Sequence, residues 1–179
     1  MTTIRIACQQ DGADLLKIYR PYVTDSTFTF EYGVPSLKEF QERITSTLAE
    51  YPFLVAEDRY GKIVGYAYAH AYNNRPGYAW AAELTIYLDS TVKGQGIGRL
   101  LYEHLEEALI KQNVSQVVAC ITGDNQSSLK FHEGMGYHLV AKFEQFAYKH
   151  DQWHDIVWMQ KSLSESMSKP VPFIPFASR

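Results

Sequence analysis

The segment TIYLDSTVKGQGIGRLLYEHLEEAL, residues 85–109, joins an apolar strand-like run to a helix through Gly94, Gly96 and Gly98, three glycines within five positions. The first-turn N–H groups of a helix have no intrahelical acceptor, and the macrodipole adds partial positive charge there. Glycines at such a junction remove the side chains that would hold an anion away, which makes the segment a candidate anion cradle. A tight turn needing positive φ would account for one glycine. Three at alternate positions, with Lys93 and Arg99 beside them, favour the anion site. The spacing is not that of a P-loop, because no Gly-Lys-Ser/Thr follows. It is not a dinucleotide fingerprint either, because G-x-G-x-x-G is lacking and several strands precede the loop.

The flanking sequence supplies those strands. TIRIA alternates as a first strand, and DGADLLKIYRPYV has helical periodicity with Asp11 as its N-cap. TFTFEYGVP is aromatic and reads either as a strand or as a pocket wall. SLKEFQERITSTLAE opens with Ser36 and Glu39 in capping-box spacing and sets Leu37, Phe40, Ile44 and Leu48 on one helical face. FLVAEDRYGKIVGYAYAHAY is a hairpin, AELTIYLD the next strand, and Leu101, Leu105, Ala108 and Leu109 line one face of the helix after the glycines. SQVVACI is a buried strand, NQSSLKFHEGMG a short helix, and YHLVAKFEQFAYK with WHDIVWMQKSL a closing strand pair. The expected architecture is α+β, layered αβα, with a mixed, mostly antiparallel central sheet. One domain over residues 1–163 is expected, followed by a proline- and serine-rich tail over 164–179.

Composition narrows the function. A chain of 179 residues that is 46% hydrophobic buries one core. A formal charge of −3 gives no footprint for nucleic acid. The N-terminus has no signal-peptide run, and no stretch approaches the ~18 apolar residues of a membrane span, so no membrane partner and a cytoplasmic location are expected. Cys8 and Cys120 sit in apolar strand-like contexts and are expected to be small buried hydrophobes without chemistry.

KGQGIG resembles the Q/R-x-x-G-x-G/A pyrophosphate loop of the GNAT N-acetyltransferases, with Lys93 at the position usually held by glutamine or arginine. NQSSLKFHEGMGY resembles the asparagine-to-G-F/Y segment that follows the next strand in that superfamily. RPGYAWAAELTIYL, KHDQWHDIVWMQ and IYRPYVTDSTFTFE are similar to segments of the phosphinothricin and methionine sulfoximine/sulfone acetyltransferases, so the resemblance spans roughly residues 3–163. It implies the GNAT acyl-CoA N-acyltransferase fold, acetyl-CoA as co-substrate without a metal, a small-molecule amine as acceptor, and a homodimer. It also implies that the pantetheine arm pairs with the strand edge at Ile86, Tyr87 and Leu88. Gly94, Gln95, Gly96, Ile97, Gly98 and Arg99 would then hold the pyrophosphate. Asn125 would reach the cofactor, cap the following helix, or do both.

Acetyl transfer to an amine needs a neutral nucleophile, a stabilised oxyanion and a proton for the departing thiolate. Glu83, a carboxylate among apolar residues at the head of the cofactor strand, is the base candidate; the alternative is an exposed strand-end charge. The Leu88 N–H is the candidate oxyanion donor. His132 stands where many GNAT enzymes carry a tyrosine, and is read as general acid, as second base, or as a helix histidine that caps a neighbour; Tyr137 is core or pocket wall. By the same resemblance Arg75 and Tyr78 line the acceptor site, with Phe28 and Phe30 as apolar wall or ordinary core. His150 and His154 lack a third ligand at recognisable spacing, so no metal is expected. The reading is an N-acetyltransferase of the α-amine of a small amino acid or analogue. Acetylation of peptide or protein amines, or a non-catalytic acyl-CoA sensor, are the alternatives.

Overall fold

A computed structural model describes residues 2–165 and 169–178. Of the tail read at 164–179, residues 166–168 and 179 lie outside the described residues. The elements run β1 (Thr3–Ile6), α1 (Gly12–Thr24), α2 (Leu37–Glu50), β2 (Phe53–Glu57), β3 (Ile63–Ala71), β4 (Ala81–Leu88), α3 (Ile97–Lys111), β5 (Gln116–Thr122), α4 (Gln126–Gly134), β6 (His138–Lys149) and β7 (Gln152–Ser162). The strands form one seven-stranded sheet in the order β1-β2-β3-β4-β5-β7-β6. Among the described residues only β4 and β5 pair in parallel, so the sheet is mixed and mostly antiparallel.

Strand alternation feeds two cores. On one face Leu54, Ala56, Leu84, Val117 and Ala119 pack with Leu101, Leu105 and Leu109 of α3. On the other, Phe53, Val55 and Tyr66 pack with Leu15 and Ile18 of α1 and Phe40 and Ile44 of α2. The sheet is thereby sandwiched between helices. At α2 the Ser36 Oγ accepts from the Glu39 N–H and the Glu39 carboxylate from the Ser36 N–H, completing the expected capping box. Leu37 departs from the expected buried stripe and is 43% exposed. Asp11 stands at the expected start of α1 but does not cap it through its side chain. Its carboxylate instead takes two bonds from Arg5, at 2.7 and 2.8 Å, and one from the Cys8 N–H. An ion pair with a strand residue therefore outcompetes the local cap.

The sheet is not continuous at its centre. β3 and β4 stay paired from Ala71/Ala82 to Gly65/Leu88, whereas β4 and β5 pair only from Ala81/Gln116 to Glu83/Val118. Beyond Glu83 the two parallel strands diverge, and the β5-facing edge of β4 has no ladder partner. The described C-terminal residues pack back on the domain: Trp80 Nε1 donates to the Val171 carbonyl at 2.6 Å, Asn113 Nδ2 to Pro172 at 2.7 Å, and Gln112 Nε2 to Ile174 at 2.8 Å. No helix among the described residues is long and apolar enough to cross a membrane.

Candidate active site

The divergence of β4 and β5 opens a cavity of about 450 Å³ that passes through the sheet. Glu83 stands where the strands part, Gly94 and Gly98 lie at the mouth on the α3 side, and Phe28 and Phe30 close the opposite side.

The three glycines serve two different needs. Gly94 and Gly96 both have φ of +78°, with open space where a Cβ would project; Gly96 is the left-handed residue that starts α3. Gly98 lies inside the helix, and a Cβ there would meet Phe131 at 3.2 Å and Ile86 and Leu88 at 3.5 Å. The first two shape the loop, and the third lets α3 approach β4 and α4 closely. The first helical bond runs from the Leu100 N–H to the Gly96 carbonyl at 3.1 Å, so the amides of Ile97, Gly98 and Arg99 precede it and have no intrahelical acceptor. The roles expected of the loop's side chains are narrower than the sequence suggests. Ile97 is buried in the core, Gln95 Nε2 donates to the Thr91 carbonyl at 3.2 Å, and Arg99 donates to the Gly134 carbonyl at 3.0 Å. Lys93 lines the cleft, its ammonium 5.7 Å from the centre of the Tyr22 ring. Asn125 also lines it and caps α4, accepting from the Ser128 N–H at 3.2 Å.

On the β4 edge, the Tyr22 hydroxyl donates to the Leu88 carbonyl at 2.7 Å and accepts from the Leu88 N–H at 3.3 Å. The amide expected to face an oxyanion is therefore engaged by a phenol through a long bond that another oxygen can replace. Ile86, Tyr87 and Leu88 all line the cleft, and the Tyr87 ring packs edge-on to Tyr19 and Tyr22 at 4.9 Å.

Glu83 is largely buried, its side chain 20% exposed, and burial raises its pKa while His70 opposes the rise. His70 is its cross-strand partner on β3, with Nε2 3.8 Å from Glu83 Oε2. Sequence reading did not single out His70; the pairing becomes visible only once the β3–β4 register is known.

His132 is 2% exposed on α4. Its Nδ1 lies 2.8 Å from the Ser128 carbonyl, which fixes the proton on Nδ1, and its Nε2 accepts from the Tyr102 hydroxyl at 2.9 Å. Burial lowers its pKa. Burial therefore favours the neutral ring, both of whose nitrogens have partners in the protein, and His132 and its partner Tyr102 both line the cleft. Tyr137 is buried and donates to Glu106 at 2.9 Å.

The aromatic segment after α1 is a pocket wall rather than a strand. It is tied at several points: Thr122 Oγ1 donates to the Thr27 carbonyl at 2.6 Å, Lys149 Nζ to Thr29 at 2.7 Å, and the Tyr32 hydroxyl to Tyr148 at 2.6 Å. Phe28 and Phe30 face the cleft from this loop. Arg75 and Tyr78, expected at the acceptor site, stand instead on the exposed β3–β4 connection and do not line the cleft. The cysteines also depart from expectation, because both are exposed. Cys120 owes its exposure to the open cleft that it lines, whose walls still shield the thiol from bulk water; that burial, followed by the Glu83 charge, pushes it up to about 12, so it stays a thiol at neutral pH. His154 Nε2 donates to the Lys149 carbonyl at 3.0 Å, and His150 sits in the β6–β7 turn at φ +50°. Among the described residues no group of three or more His, Cys, Asp or Glu is placed to hold a metal ion.

Comparison with known proteins places this geometry. The family model described as an acetyltransferase (GNAT) domain matches residues 4–158. A phosphinothricin N-acetyltransferase from Streptomyces viridochromogenes is 33% identical over 172 residues, covering 96% of this chain and 93% of that protein. An L-methionine sulfoximine/L-methionine sulfone acetyltransferase from Pseudomonas aeruginosa is 28% identical, with 94% and 98% covered. Among solved structures, a GNAT superfamily phosphinothricin acetyltransferase from Sinorhizobium meliloti in complex with AcCoA superposes with a TM-score of 0.91 at 34% identity, covering 95% of this chain and 93% of that one.

Proposed function

This chain belongs to the GNAT acetyltransferase family, and on that premise we propose that it transfers the acetyl group of acetyl-CoA to the α-amine of a small amino acid or amino-acid analogue. The observation that carries the reading is Glu83, a largely buried carboxyl with raised pKa at the point where β4 and β5 part. A carboxylate there is a stronger base than one in water and can take the proton of an acceptor ammonium. The relatives that act on phosphinothricin and on methionine sulfoximine or sulfone support the acceptor class.

In this reading acetyl-CoA lies with its pantetheine arm along the unpaired edge of β4 at Ile86 and Leu88 and its pyrophosphate against the amides of residues 94–99. Lys93 supplies a cation at the loop, and Asn125 reaches the cofactor while capping α4. The thioester carbonyl replaces the Tyr22 hydroxyl on the Leu88 N–H, which then faces the developing oxyanion. The amine lone pair attacks the thioester carbon, the C–S bond breaks, and the electron pair leaves on the CoA sulfur. His132 takes the Tyr102 hydroxyl proton in a hydrogen bond and so fixes that phenol at the cleft wall, while the proton left on the attacking nitrogen passes to the departing thiolate. Phe30 and Phe28 bound the acceptor's side chain. No enzyme-bound acetyl group is needed, and a Cys120 thiol held up to about 12 would be a poor carrier for one. A homodimer in the cytoplasm belongs to the same proposal; Leu139, Phe146 and Trp153, each at least 60% exposed on the closing hairpin, form apolar surface for a second copy.

The experiment that tests the acceptor is CoA release across free amino acids, phosphinothricin, methionine sulfoximine and sulfone, polyamines and short peptides. Turnover of free amino acids or their analogues is the expected result. Preference for polyamines or peptide N-termini over every free amino acid would refute the acceptor assignment.

A further inference from the structure

Glu83 receives a proton at every turnover, and a largely buried carboxyl needs a route to return it to water. The cleft gives a poor route once acceptor and cofactor fill it. A second recess, of about 190 Å³, opens on the α2 side of the sheet and is lined by His70, Arg43 and the aromatic rings of Tyr19, Tyr68 and Tyr87. His70 thus stands between the Glu83 carboxyl, 3.8 Å from its Nε2, and a space open to solvent; its side chain is 45% exposed.

The tautomer suits transfer. His70 Nδ1 lies 3.1 Å from the Ala71 carbonyl, an atom that only accepts, so the ring proton sits on Nδ1. That leaves the Nε2 lone pair directed toward Glu83. We propose that His70 is a positioning residue for the Glu83 base and its proton outlet, carrying the acceptor's proton from the cleft along one face of the sheet to the recess. The inference rests on the amine-acetylation reading above.

The step balances. The ammonium N–H bond breaks and the proton passes to the Glu83 carboxylate, then to His70 Nε2 after a small rotation closes the gap. The imidazolium turns Nε2 to the recess and releases that same proton to bulk water, so Nδ1 keeps its proton on the Ala71 carbonyl and both side chains return to their starting states. The other titratable groups around the pair hold their protonation near neutral pH. Facing His70, Tyr68 is pushed up to about 12 by burial, Tyr19 and Tyr87 are raised by the same cause, and the Arg43 guanidinium is paired with Glu31 at 2.6 Å. Facing Glu83, Cys120 is held up to about 12 and Tyr102 is raised by burial.

Two measurements test the relay. In His70→Gln the ring that opposes the effect of burial on Glu83 is gone, so the acidic limb of kcat/KM moves to higher pH by about one unit. The KM for acetyl-CoA stays unchanged. A limb that coincides with that of the wild type overturns the proposal. The second readout needs no turnover: nitrogen NMR of the His70 ring in the wild type and in Glu83→Gln. The expected result is an Nδ1–H tautomer whose Nε2 resonance moves when the carboxylate is removed. An Nε2 resonance identical in both proteins overturns the relay. A moved resonance in a protein that acetylates no amine would support the pair and fault the proposed activity instead.

Discussion

Gly96 offers a test in which shape and charge separate. It starts α3 at φ +78°, and a Cβ there would meet nothing within 4 Å. A substitution therefore brings backbone strain without a clash, about 1–2 kcal/mol for an ordinary residue and less for Asn or Asp, which tolerate the left-handed region. For a domain of this size, a loss of about 1 kcal/mol lowers Tm by roughly 2–4 °C, so Gly96→Asn and Gly96→Asp should both fold and melt slightly early. They differ only in charge. A unit charge about 4 Å from a phosphate oxygen is opposed by about 1 kcal/mol in water and about 4 kcal/mol at the reduced screening of a protein surface. The carboxylate should then weaken acetyl-CoA binding by about 5- to 10³-fold relative to the Asn variant. The assay is the Tm shift produced by acetyl-CoA, about 2.7 kcal/mol of stabilisation at a hundred times Kd. Asn should keep most of that shift and Asp lose it, with partial recovery in high salt. Equal acetyl-CoA affinities in the two variants would refute the assignment of the pyrophosphate to this loop.

Glu83→Gln should lower kcat/KM by about 10²-fold or more at pH values where the acceptor amine is mostly protonated, where base assistance matters most. The same variant should melt higher than the wild type above neutral pH. The sign follows from burial, which raises the folded-state pKa of Glu83, so its contribution to stability is present at low pH and lost as pH rises through that pKa. Thermal melts of the two proteins from pH 4 to 9 check this, with the Tm difference widening upward in pH. Lys149→Met removes the ammonium that holds the Thr29 carbonyl at 2.7 Å from beneath the aromatic wall. It should raise the acceptor KM several-fold while leaving the Kd for acetyl-CoA unchanged, as steady-state kinetics and a binding titration would show.

The parts of this molecule that were legible in the sequence are those whose determinants lie within a few residues of each other. The Ser36–Glu39 box, the β2–β3 hairpin around Asp58 and Gly61, and the glycine junction ahead of α3 each carry their own signal. Even there the signal ran together causes that the structure separates. Gly94 and Gly96 answer a dihedral requirement and Gly98 a packing requirement, a distinction that depends on where Phe131 of a later helix arrives. Asp11 shows the limit of local reading more sharply. The residue has the right type at the right place for a cap, yet Arg5 claims its carboxylate, because a charged, doubly bonded partner outweighs one backbone N–H.

The site residues divide along the same line. Glu83 and Asn125 line the cleft because the backbone of a strand or a helix start carries them there. Arg75 and Tyr78 lie on a connection whose path no periodicity constrains, and that path leaves them outside it. His132 was visible as a residue but not as a protonation state, since its lowered pKa comes from burial on a helix whose core face had to be known, and its Nε2 partner, Tyr102, lies thirty positions earlier. His70 was hidden for the complementary reason. Nothing within HAY marks a functional histidine; its relation to Glu83 exists only in the antiparallel register, which sets position 70 opposite position 83 and places the imidazole between a buried carboxyl and solvent. Register is fixed by the summed burial of the strands rather than by any one residue. A cross-strand pair can therefore be as well determined as a motif and still leave no trace in the linear sequence.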